Sequence, residues 1–186
     1  MDVLPVNSSR VKSAHLAERP LERGPTAPGA FQVKLTFEKP DGYAFDPSRI
    51  EVQNGVARVK HTVDSPTHWI RARSALETTS GIQFTALDRF TETAGPDSRG
   101  KIRYQLSINT AAWYYWDGTH WTPAGPSSEL ASSVADLNQG AATFHTEVGS
   151  GSLYIKALLI SPTGSEPVSL KELSVSGVNT HRDGWE

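Results

Sequence analysis

The chain has no cysteine, one methionine, almost no net charge and no long apolar run, and each shortage removes a class of protein. Without cysteine there are neither disulfides nor thiolate metal sites, which fits a protein made and assembled in a reducing compartment. The first twenty residues contain no apolar stretch of signal-peptide length. The longest apolar stretch, Ala111 to Trp116, is far too short to span a bilayer, so a soluble, non-secreted chain is expected. A formal charge of -2 with acids and bases interspersed leaves no electrostatic footprint for nucleic acid or for an anionic membrane, and neither partner is expected.

Catalytic signatures are also missing. There is no GxSxG, HExxH, phosphate loop or dinucleotide fingerprint. The six histidines, His15, His61, His68, His120, His145 and His181, are dispersed without metal-like spacing. The chain is therefore read as a non-enzyme without cofactor or metal. Asp41, Asp46 and Asp88 are weak candidates for a loop-bracing calcium ion, unaccompanied by a dense run of acids. Arg71 and Arg73 share a strand face and read as a solvated edge, and Asn7-Ser8-Ser9 matches a glycosylation acceptor at chance frequency.

What is present begins with the aromatics. Residues 113 to 121, Trp-Tyr-Tyr-Trp-Asp-Gly-Thr-His-Trp, hold three of the five tryptophans and two of the five tyrosines. Asp117-Gly118 between two such runs predicts a hairpin with a two-residue turn. That register sets Trp116 opposite Thr119, Tyr115 opposite His120 and Tyr114 opposite Trp121. Tyr114, Trp116 and Trp121 then share one face, and Trp113, Tyr115 and His120 the other. One face is expected in the core. The other calls for a ligand or a partner, because large rings on both faces of a hairpin would leave an adhesive patch in water.

Residues 1 to 30 differ from the rest: Pro5, Pro20, Pro25 and Pro28, no aromatic ring, and scattered Val3, Leu4, Val6, Val11, Leu16 and Leu21 without helical or strand period. They read as an extended arm whose apolar residues dock on a partner subunit. Residues 31 to 186 read as one β-domain. Phe31, Val33, Leu35 and Phe37 alternate with polar residues, as in a strand with one buried face. Asn54-Gly55 predicts a second hairpin that pairs Ile50 with Val59 and Val52 with Ala57 inward, and sets Glu51 against Arg58 as an outward ion pair. Further strands are expected at 69 to 76, 82 to 87 and 101 to 108. Ser152 to Ser161, apolar on both sides, predicts a central strand. Val168 and Leu170 are out of phase with Leu173 and Val175, which a bulge at Lys171-Glu172 would absorb. One helix is expected at about 127 to 138, with Leu130, Val134 and Leu137 on one face. About nine short strands make the expected fold an all-β antiparallel sandwich or jelly roll.

Tyr43 to Val52, Gly55 to Lys60, Lys101 to Ser107, the aromatic hairpin, and Gly151 to Ala157 with Leu173 to Val175 resemble the strands of jelly-roll modules in bacteriophage structural proteins and bacterial surface proteins. The likeness covers roughly residues 40 to 177. It implies a structural protein of a virion, a capsid-decoration or accessory subunit assembled in the host cytoplasm, whose arm anchors it to capsid or tail proteins of the same particle or to another copy of itself. Sandwiches of this kind also serve as carbohydrate-binding modules. On that alternative, the rings of Trp113, Tyr114, Tyr115, Trp116 and Trp121 stack on sugars while Asp117, Thr119 or His120 supplies hydrogen bonds to a surface glycan.

Overall fold

The computed structural model describes residues 29–60, 72–125 and 130–180. The arm residues Val3, Leu4, Val6, Val11, Leu16 and Leu21, the glycosylation-like Asn7, the start of the strand expected at 69, and the Arg71 and Arg73 side chains lie outside the described residues.

Alternation of apolar and polar residues over short spans produces strands: β1 (Ala30–Thr36), β2 (Tyr43–Phe45), β3 (Ile50–Gln53), β4 (Val56–Val59), β5 (Ala72–Thr78), β6 (Ile82–Phe84), β7 (Ala86–Ala94), β8 (Lys101–Ser107), β9 (Tyr114–Trp116), β10 (Trp121–Pro123), β11 (Gly151–Ser161) and β12 (Ser169–Val178). They form two antiparallel sheets. In the first, β12 has β7 along one edge and β1 followed by β4 along the other, with β3 outside β4. In the second the order is β10-β9-β8-β11-β5-β2, with β6 continuing the line of β5 beside β11. β11 and β12, the last two described strands, thus lie in the interior of the second and the first sheet respectively. Phe90, Leu173 and Val175 from the first sheet meet Tyr104, Leu106, Ile155 and Leu159 from the second in one core. The fold is an all-β antiparallel sandwich.

Local chemistry explains most of the elements. Asn54 and Gly55 take positive φ (53° and 77°), so the β3–β4 hairpin closes in the expected register, Ile50 against Val59 and Val52 against Ala57. Glu51 and Arg58 do face each other there, but no ion pair within 4 Å joins them: Arg58 stands in solvent and Glu51 is half-buried, and at such a surface holding two long side chains together gains little. β11 is paired on both edges and buries Leu153, Ile155, Ala157 and Leu159 on one side with Leu158 on the other, as a central strand should. The phase change in β12 is a bulge at Lys171, where Leu170 and Glu172 face adjacent residues, Ala94 and Thr93, of β7.

The helix departs from expectation. α1 (Val134–Gly140) begins at Ser133, whose hydroxyl accepts from Asp136 N while the Asp136 carboxylate accepts from Ser133 N, a reciprocal cap. Leu130 lies before this cap and is 38% exposed, so it does not share the buried face of Leu137. A 3-10 turn at Ala141–Thr143 leads into α2 (Phe144–Glu147), and Phe144 is fully buried.

Candidate functional site

The aromatic hairpin forms, but two residues out of the expected register. Trp116 pairs with Trp121, Tyr115 with Thr122 and Tyr114 with Pro123, around a loop of Asp117 to His120. The cause is the Asp117 side chain. Its Oδ1 accepts from Thr119 N (2.8 Å), Thr119 Oγ1 (2.9 Å) and His120 N (2.8 Å), and its Oδ2 from Thr122 Oγ1 (2.9 Å). An aspartate that captures the backbone two and three residues on builds its own turn and competes with the two-residue hairpin turn. The same bonds, that of His120 N foremost, hold the Asp117 carboxyl well below the usual carboxylate range.

A shift of two residues preserves the face of each strand side chain. Tyr114, Trp116 and Trp121 point inward and pack on the core. Trp121 is 6% exposed; its Nε1 donates to Gly140 O at 2.8 Å, its ring meets Phe144 edge-on at 4.9 Å, and Trp116 lies 5.7 Å away. Gly140 admits these rings because it has no side chain: a Cβ there would stand 2.4 Å from Trp116 Cε3. The main chain is pinned as well. Trp116 N donates to Ser132 Oγ (2.7 Å) and Trp121 N to Glu147 Oε2 (2.8 Å), and the latter bond is the leading cause that lowers the Glu147 carboxyl. The inward trio is thus a clamp that fastens α1 and α2 to the end of the second sheet. Trp116 Nε1 and His145 Nδ1 remain buried without a hydrogen-bond partner.

The other face differs from expectation. His120 is in the loop rather than opposite Tyr115; its side chain is 75% exposed and its Nδ1 lies 3.6 Å from Glu147 Oε2. Trp113, just before β9, lies under Lys156, whose Nζ is 4.3 Å from the ring centroid and 3.4 Å from Glu77 Oε1. Glu77, Lys156 and Gln105 are paired across β5, β11 and β8, and Tyr115 follows on β9 beside Gln105. One face of the Trp113 ring therefore already carries an ammonium, a favourable cation–π contact that a stacking sugar would have to displace. Lys156, Glu77, Gly140 and Glu147 were not evident as partners of the hairpin, because only the strand register and helix docking bring them there.

Other candidates stay apart. Among the described residues no group of three or more His, Asp or Glu side chains converges on a point where a metal ion could sit. Asp46 instead caps its own turn, accepting from Ser48 N (2.9 Å) and Ser48 Oγ (2.6 Å) beside Arg49, while Asp88 meets Ser176 Oγ at 3.4 Å. A cleft of about 410 Å³, lined by Thr36, Glu38, Asn54, Arg58, Lys171 and Glu172, opens on the first sheet, so it and the aromatic hairpin of the second are separate features. No protein-family model matches the chain, and no curated protein or solved structure matches it.

Proposed function

We propose that this chain is a non-enzymatic structural protein of a bacteriophage particle, a capsid-decoration or accessory subunit held to its capsid or tail neighbours by residues 1 to 30. The observation that supports this reading is where the chain enters the sandwich. β1 begins at Ala30 on the margin of the first sheet, beside the point where β12 ends, with Asn179 N donating to Gly29 O at 2.8 Å. Gly29, where the proposed arm joins the sandwich, thus lies at an edge of the fold. An arm that binds the assembled shell and not its free subunits stabilises the particle by mass action. The inward hairpin trio fits the same reading, since its rings serve as scaffold and leave Trp113 and Tyr115 on the outer face. The glycan alternative rests on those two rings, and Lys156 over Trp113 weighs against it.

The test is incorporation. Mass spectrometry of purified particles is expected to find the full chain, and a variant lacking residues 1 to 28 is expected to keep its thermal transition while losing at least tenfold in particle occupancy. Particles that lack the protein, or a truncated form that incorporates as well as the full chain, would overturn the reading. Loss of tryptophan fluorescence on a glycan, abolished by Trp113→Ala, would favour the sugar-binding alternative.

A further inference from the structure

We propose that the outer edge of β1 is a homodimer interface, on which β1 of a second copy adds antiparallel about a two-fold axis at Val33. β1 pairs with β12 over its whole length, Ala30 with Val178 through Thr36 with Glu172, without a bulge. β4 takes over the same edge of β12 beyond it, and only β4 is covered by β3. Among the described residues no strand pairs with the outward edge of β1; at its far end the Thr36 carbonyl accepts from the Tyr43 hydroxyl at 2.8 Å, and the main-chain groups of Ala30, Gln32 and Lys34 face outward before it. Natural sheets blunt such edges with proline, bulges, lysine or a covering element; β1 has no proline and no bulge, and its one charge is the exposed Lys34. The contrast within this molecule is β7, the opposite edge of the same sheet. There the Asn138 amide takes both groups of Phe90, accepting from its N–H at 2.7 Å and donating to its carbonyl at 3.0 Å.

The occupant follows from the sequence of the strand, Ala30-Phe31-Gln32-Val33-Lys34-Leu35-Thr36. About Val33 the antiparallel register sets Phe31 against the second copy's Leu35 on the inner face, and Val33 against itself. These side chains are half-buried in the single chain, and Phe31 and Leu35 already pack on the core, so a second strand extends that core. On the outer face Gln32 stands opposite Lys34 of the second copy, twice, with no like charges paired. Centring on Lys34 instead would oppose two ammonium groups, which cross-strand pairing disfavours. The strand is complementary to itself about Val33, and a two-fold dimer is the closed assembly such self-complementarity produces. Each sandwich would then share one continuous sheet with its twin.

The absence of cysteine makes the test direct. In the full chain, Val33→Cys is expected to cross-link into a disulfide dimer under mild oxidation, since directly opposed strand residues lie within disulfide reach. Thr36→Cys, opposite Ala30 and several residues from its own twin, is expected to stay uncross-linked. Independently, sedimentation equilibrium of the full chain is expected to show a dimer that Gln32→Lys weakens about tenfold, by placing like charges opposite each other at two sites. The double change Gln32→Lys with Lys34→Glu is expected to restore it. A monomer at all concentrations, equal cross-linking at positions 33 and 36, or a dimer indifferent to Gln32→Lys would overturn the proposal. A thermal melt of each variant separates lost dimerisation from lost folding.

Discussion

Gly140 shows how much a single absent methyl group can decide. It ends α1 with φ of -95°, so its backbone needs no glycine. Space does: a Cβ would approach Trp116 Cε3 to 2.4 Å and Trp121 Cε2 to 2.9 Å. Helix propensity favours alanine over glycine by roughly 1 kcal/mol. Against that, overpacking costs about 1–3 kcal/mol, and Trp121 cannot slide away without giving up its bond to Gly140 O. The steric term should win. Gly140→Ala is expected to lower stability by up to about 2 kcal/mol and Tm by up to several degrees, and to change the near-ultraviolet circular dichroism of the packed tryptophans. A variant at least as stable as the parent would mean that the Trp116–Trp121 pair has room to yield.

At the level of elements, β7 shows what the sequence revealed and what it hid. The strand expected at 82 to 87 breaks into β6 and β7, and β7 runs on to Ala94. Two features disguise its second half. A bulge at Asp88 interrupts the period of two, since Ser176 and Gly177 of β12 face Arg89 and Leu87. Glu92 then occupies a position where an apolar residue is expected, because it accepts the hydroxyl of fully buried Tyr104 at 2.7 Å. The β3–β4 hairpin, β8 and β11 were legible because pattern and turn residues agree there. The hairpin faces were legible too, although the register was not, since the Asp117 side chain acts on the backbone and leaves no mark on the hydrophobic pattern. For the start of α1, Ser133-Val134-Ala135-Asp136 was the readable signal, overshadowed by Leu130. The edge of β7 offers a test of its own. Asn138→Ala removes two hydrogen bonds to Phe90, a loss of about 1–2 kcal/mol. Hydrogen exchange at the Phe90 amide is expected to quicken by at least tenfold, and the freed edge to raise aggregation on heating. Unchanged exchange would show that the amide bridge contributes nothing to that edge.

Over the whole molecule, stability hangs on the two strands made last. β11 separates β5 from β8, and β12 separates β7 from β1 and β4, so without them neither sheet has a centre. Leu153, Ile155, Leu159, Leu170, Leu173 and Val175, all from these two strands, are each exposed by 2% or less. Burying one such side chain contributes about 1.5–3 kcal/mol, so six contribute roughly 9–18 kcal/mol, as much as the whole net stability of an ordinary domain. A chain ending at Ser150 keeps β1 to β10, α1, α2 and the aromatic hairpin, yet is expected to show no cooperative thermal transition. The full chain is expected to melt in one step, with the amides of β5, β8, β1 and β7 protected to a common opening free energy although they belong to different sheets. Circular dichroism of the truncated chain and hydrogen exchange of the full one check this. A folded 1–150 fragment would place the stability in the hairpin and helix clamp, whereas an unfolded one makes that clamp a passenger of the sheet: Trp116 and Trp121 can hold α1 only after β11 has fixed β8, and β8 has fixed β9.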